Sequence, residues 1–116
     1  MNESNDCVFC KIIRGELPCK KVFEDEHTLA FLSNGAVTPG HTLIVPKEHY
    51  RNFCSCPPEV LNQIVKTTQK IAAKYPSCKI VVNNEKPLQE VFHLHFHVIP
   101  CNTDTDAETL HAIRKF

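Results

Sequence analysis

The segment that most restricts how this chain can fold is Val91-Phe-His-Leu-His-Phe-His-Val-Ile-Pro100, where apolar residues alternate with histidines. Successive side chains of a strand point to opposite faces. The spacing therefore puts Phe92, Leu94, Phe96 and Val98 on one apolar face, and Val91, His93, His95, His97 and Ile99 on the other. We expect a strand from Val91 to Ile99 that packs with one side and presents three imidazoles with the other. An imidazole suits three tasks: metal ligand, general acid or base, and nucleophile. Same-face neighbours stand about 6.5 Å apart and Zn–N bonds measure about 2.0–2.1 Å. One metal held by all three is awkward on a regular strand, so a division of labour is the more natural arrangement.

A strand with one packing face needs a sheet and a helical layer, and the rest of the chain supplies both. Lys21–Glu24 and Thr28–Leu32 read as strands around an acidic turn at Asp25-Glu26. Pro39-Gly40 is a turn, and His41–Val45 a third strand stopped by Pro46. A helix is expected from about Pro57 to Tyr75, with Pro57 at its first position. Its stripe of Val60, Leu61, Ile64, Val65, Thr68, Ile71, Ala72 and Tyr75 recurs at spacings of three and four. Lys79–Asn83 makes a fourth strand, and Cys7–Arg14 a short helix or turn ending near Gly15. Three strands, a helix and two strands describe a single α+β domain, residues 1–116, built on an antiparallel five-stranded sheet.

Thirteen basic and thirteen acidic residues balance, which gives no argument for a nucleic-acid or membrane partner. A local site can still bind a phosphate. No apolar stretch approaches the roughly 20 residues of a bilayer span, and the first six residues are polar and acidic. A cytoplasmic location is expected. Seven cysteines, an odd number, argue against a disulfide framework. Cys19, Cys54, Cys56, Cys78 and Cys101 are expected to be reduced and mostly buried.

Cys7 and Cys10 stand apart because C-x-x-C is the spacing at which two thiolates chelate one zinc. The same spacing serves redox chemistry, but the βαβ setting of that use is missing. Two further ligands would have to be histidines, and His49, just past the third strand, is the best candidate. His27, His41 and His111 read as solvated or hydrogen-bonded surface residues.

From Cys7 to Pro100 the chain resembles the histidine triad (HIT) family, in its nucleotide-binding and zinc-carrying branch. The resemblance is carried, in order, by Cys-Val-Phe-Cys-Lys-Ile-Ile-Arg-Gly-Glu-Leu-Pro (7–18), Lys-Val-Phe-Glu-Asp-Glu (21–26), Leu-Ala-Phe-Leu (29–32), Gly-His-Thr-Leu-Ile-Val-Pro-Lys-Glu-His (40–49) and His-Leu-His-Phe-His-Val-Ile (93–99). It implies the HIT fold with short terminal helices, a homodimer, and hydrolysis or transfer at the α-phosphorus of a nucleoside 5'-phosphoramidate or related phosphate. By position, His95 would be the nucleophile that forms a nucleotidyl-histidine intermediate, oriented by a backbone carbonyl. His97 would hydrogen-bond the phosphate. A structural zinc would be held by Cys7, Cys10, His49 and His93. The base of a purine nucleoside monophosphate such as AMP would lie against Val8, Phe9, Ile12 and Phe31, with Asn83, Gln89 and Glu90 near the phosphate.

Three positions depart from the family pattern. Ser33 stands where the family has a ribose-binding Asp and offers a weaker, single contact. The loop Asn83–Gln89 lacks glycines that let backbone N–H groups approach a phosphate. Glu90 replaces a small hydroxyl residue and brings negative charge. An enzyme is therefore weighed against a nucleotide-binding or interaction module whose chemistry is vestigial. A Cys₂His₂ nucleic-acid module is disfavoured by the zero net charge and the missing basic recognition helix.

Overall fold

The computed structural model describes residues 6–116. Five strands, β1 (Lys21–Glu24), β2 (Thr28–Leu32), β3 (Thr42–Pro46), β4 (Cys78–Val82) and β5 (Phe96–Pro100), form one antiparallel sheet in the order β1-β2-β3-β5-β4. Helix α1 (Val8–Ile13) precedes them, α2 (Pro58–Ala72) joins β3 to β4, and α3 (Ala107–Lys115) follows β5. Gly15, at φ +79°, stops α1 in the left-handed conformation that glycine adopts without a Cβ penalty. Residues 1–5, whose polarity entered the expectation of location, lie outside the described residues.

Alternation within the strands gives the sheet two apolar faces. Ala30, Ile44, Phe96 and Val98 face α2 and pack with its Ile64 and Ile71. Leu29, Phe31, Leu43 and Val45 face the other way and are covered by Cys7, Phe9 and Cys10 of the N-terminal segment. Leu43 is the register partner of His97 on β5, so His97 belongs to this second face. Burying one of these side chains contributes about 1.5–3 kcal/mol, which offsets part of the cost of ordering a helix of only six residues.

The structure corrects the expected elements in three places. The strand expected over Val91–Ile99 begins only at Phe96, so His93 and His95 lie on the irregular segment leading into it. Helix α2 runs from Pro58 to Ala72 rather than from Pro57 to Tyr75, with Pro57 as its N-cap and Ala73 as its C-cap. Val65 is exposed, and Thr67 is buried in its stead, its hydroxyl 2.8 Å from that of Thr28. A hydroxyl pair satisfied across the layer substitutes for an apolar contact. The cysteines are unpaired as expected, but of the five only Cys56 is buried; Cys54 is exposed and Cys19, Cys78 and Cys101 are partly covered.

Candidate active site and metal centre

On the face covered by the N-terminal segment lies a cavity of about 490 Å³. Val8, Phe9, Ile12 and Phe31 form one wall, with the Phe9 and Phe31 rings 5.6 Å apart edge to face. Ser33, Asn83, Glu90, His95 and His97 also line it. Gln89 does not, which corrects the expectation for it. Its amide is spent on the backbone, donating to the carbonyls of Arg51 (2.6 Å) and Val91 (2.9 Å) and accepting from Glu85 N–H (2.8 Å). Gln89 thus braces the loop without glycines. The Glu85 carboxylate, paired with Arg51 and bonded by Asn52, pins the other end.

The imidazoles of the cavity are fixed by a chain of bonds that sets each tautomer. His95 Nδ1–H donates to the carbonyl of His93 at 2.8 Å, which leaves the lone pair on Nε2. Val37 N–H donates to His41 Nδ1 at 3.1 Å, so His41 carries its proton on Nε2 and donates it to His97 Nδ1 at 3.0 Å. His97 must then carry its proton on Nε2, the buried side-chain atom without a hydrogen-bond partner among the described residues. Burial lowers all three imidazoles from their ordinary value, His97 down to about 3, so the neutral forms dominate at neutral pH. A buried donor with no protein acceptor costs about 1–3 kcal/mol unless a ligand supplies the acceptor.

His41 was expected at the surface and is instead buried, 1% exposed. The signal for it was present: His41 shares its parity with Leu43 and Val45, the buried face of β3. The backbone turns into that strand through Gly40, at φ +87°, where a Cβ would come within 2.9 Å of the Tyr75 hydroxyl oxygen. Phe116 was also missed; its ring lies 4.8 Å from His97 and 5.5 Å from His41. It follows α3, and nothing in its local sequence points to the sheet. His27 and His111 are exposed.

Beside the cavity, Cys7, Cys10, His49 and His93 bring their ligand atoms within 4.8 Å of one another. Cys7 Sγ and Cys10 Sγ stand 3.3 and 3.4 Å from His93 Nδ1, and Cys10 Sγ stands 3.3 Å from His49 Nδ1. Sulfur and nitrogen on a tetrahedral zinc are separated by about 3.5 Å, so this donor set fits such an ion. His93 Nε2–H donates to the carbonyl of Pro46 at 2.9 Å, which leaves Nδ1 as the ligating atom. Burial and the adjacent Cys7 push the Cys10 thiol up to about 12, the direction that a cation between the sulfurs reverses.

Residues 14–104 match the HIT domain family. The chain is 46% identical over 100 residues to an uncharacterised HIT-like protein of Methanocaldococcus jannaschii, covering 81% of this chain and 78% of that one. It is 43% identical over 108 residues to an adenylylsulfatase of Arabidopsis thaliana, covering 83% of this chain and 52% of that protein. Among solved structures, a zinc-bound histidine triad family protein from Mycobacterium smegmatis superposes with a TM-score of 0.81 at 34% identity, covering 96% and 90% of the two chains. The five-stranded antiparallel sheet, its histidines and these matches together place the chain in the HIT family.

Proposed function

We propose that this chain is a nucleotide-binding hydrolase that acts at the α-phosphorus of nucleoside 5'-phosphoramidates or related nucleoside phosphates. The observation that supports it most is a pair of imidazoles on one cavity wall. His95 has its Nδ1–H committed and an Nε2 lone pair left over, and His97 has an Nε2–H without a protein partner. In this reading His95 Nε2 attacks the phosphorus and the bond to the leaving group breaks; the leaving group takes the bonding electrons, and a leaving amine also takes up a proton from solvent. Water then attacks the phosphorus of the nucleotidyl-histidine, the P–N bond breaks, His95 leaves as the neutral imidazole, and one proton of the water passes to solvent. His97 Nε2–H donates to a phosphoryl oxygen, where charge develops. The apolar wall of Val8, Phe9, Ile12 and Phe31 receives the base, Ser33 faces the ribose, and Asn83 and Glu90 flank the phosphate. The Arabidopsis relative is named for a reaction on adenylyl sulfate, in which sulfate would leave from the same phosphorus.

Cys7, Cys10, His49 and His93 hold a structural zinc in this reading, since four protein ligands leave no open position. The working form is a homodimer. The free cysteines suit the reducing cytoplasm. A binding module without turnover is the second reading, favoured by Ser33, whose hydroxyl already accepts from Gly35 N–H at 3.2 Å. Incubation with adenosine 5'-phosphoramidate and, separately, adenylyl sulfate separates the two. AMP release from either supports the hydrolase. AMP binding with no release from both leaves the module.

A further inference from the structure

The metal cluster and the cavity share a piece of backbone. Cys7 and Cys10 turn their sulfurs to the cluster, while Val8 and Phe9, between them, line the cavity. The Phe9 ring stands edge-on to both His93 (5.9 Å) and His95 (5.0 Å). His93 is shared more closely still. Its Nδ1 belongs to the cluster, and its carbonyl takes the proton that fixes the tautomer of His95. Neither element holds itself. A helix of six residues is too short to persist without anchors. The His93–His95 segment precedes the β5 ladder and is tied by Leu94 N–H to the Tyr50 carbonyl and by the side chain of His93.

We propose that metal and nucleotide bind this chain with positive coupling, because the Cys7–Cys10 turn and His93 position the nucleotide cavity from the metal site. Phe9 and His93 are positioning residues in this scheme: Phe9 holds the apolar wall against His95, and the His93 carbonyl holds its ring. The inference rests on the nucleotide-site reading above. Coupling between two sites is reciprocal, so nucleotide must tighten metal by the same factor that metal tightens nucleotide.

The test uses the wild-type chain, zinc-loaded and chelator-stripped. AMP affinity is measured on both forms by calorimetry, and zinc affinity by chelator competition with and without saturating AMP. The expected result is AMP binding weaker by about 5- to 150-fold on stripping, matched by an equal loss of zinc affinity without AMP. Nitrogen-15 shifts of His95 should move from the single Nδ1–H form toward a mixture of tautomers, while circular dichroism keeps its strand signal. Equal AMP affinity in both forms overturns the coupling and leaves the proposed function standing. Loss of the whole strand signal on stripping also overturns it, since the metal would then support the fold and not the cavity. AMP binding to neither form overturns the proposed function as well.

Discussion

At the scale of single residues, bonded partners give nearly identical side chains different work. His93, His95 and His97 are all buried, yet one donates to Pro46, one to its neighbour's carbonyl, and one accepts from His41. Of the three, His95 alone has its lone pair on the nitrogen left to the cavity. His95→Ala should therefore lower kcat/KM on adenosine 5'-phosphoramidate by at least about 10³-fold, as loss of a nucleophile does elsewhere. Zinc content, read by metal analysis, should stay unchanged, because residue 95 lends the cluster no atom. Ser33 belongs to the same scale. Ser33→Asp should tighten AMP over 2'-deoxy-AMP by about 1 kcal/mol, the worth of one charge-assisted bond to the diol. Paired calorimetric titrations check this; equal tightening for both sugars would contradict a ribose contact.

At the scale of elements, the pairing of β3 with β5 brings His41 and His97 together and buries both. The depressed basicity of His97 is a consequence, and its effect on stability has a definite sign. With the folded value at about 3 and the ordinary value at 6.5, the unfolded chain binds more protons between those limits. The stability contributed by neutral His97 is complete above about pH 6.5 and is lost as pH falls toward about 3. The loss is at most about 1.4 kcal/mol per pH unit. Urea denaturation of the wild type and His97→Gln across this range should show a steeper acid decline in the wild type. Parallel curves would mean that residue 97 titrates alike in both states.

At the scale of the whole molecule, the N-terminal segment closes the second face of the sheet and is tied there by Cys7 and Cys10 as well as by apolar packing. Protein purified without added metal should carry about one zinc per chain. Changing Cys7 and Cys10 together to serine should abolish it and lower the melting temperature by several degrees, since bound metal stabilises only the folded state. Metal analysis and thermal denaturation check both. An unchanged zinc content would remove the cluster as its site.

The sequence by itself determined what periodicity and local chemistry carry. Strand-forming residues between turn signals marked four of the strands, and alternation in the fifth segment separated the histidine face from the face of Leu94, Phe96 and Val98. Spacing of three and four marked α2, and C-x-x-C marked two of the four cluster residues. Tertiary structure decided what depends on a distant neighbour. His41 shares the parity of Leu43 and Val45, but its partner His97 reaches it only because β5 lies beside β3, which nothing near residue 41 reveals. Gln89 carries polar atoms suited to a phosphate, but the carbonyls of Arg51 and Val91 claim them first. Val65 obeys the helical period yet stays exposed, because the period gives the direction of a stripe and only the opposing sheet gives its width. The tautomer of each imidazole followed from bonds spanning up to 56 positions of chain, between His41 and His97. Local patterns can name the residues of such a site, and only the packed layers can assign each nitrogen its partner.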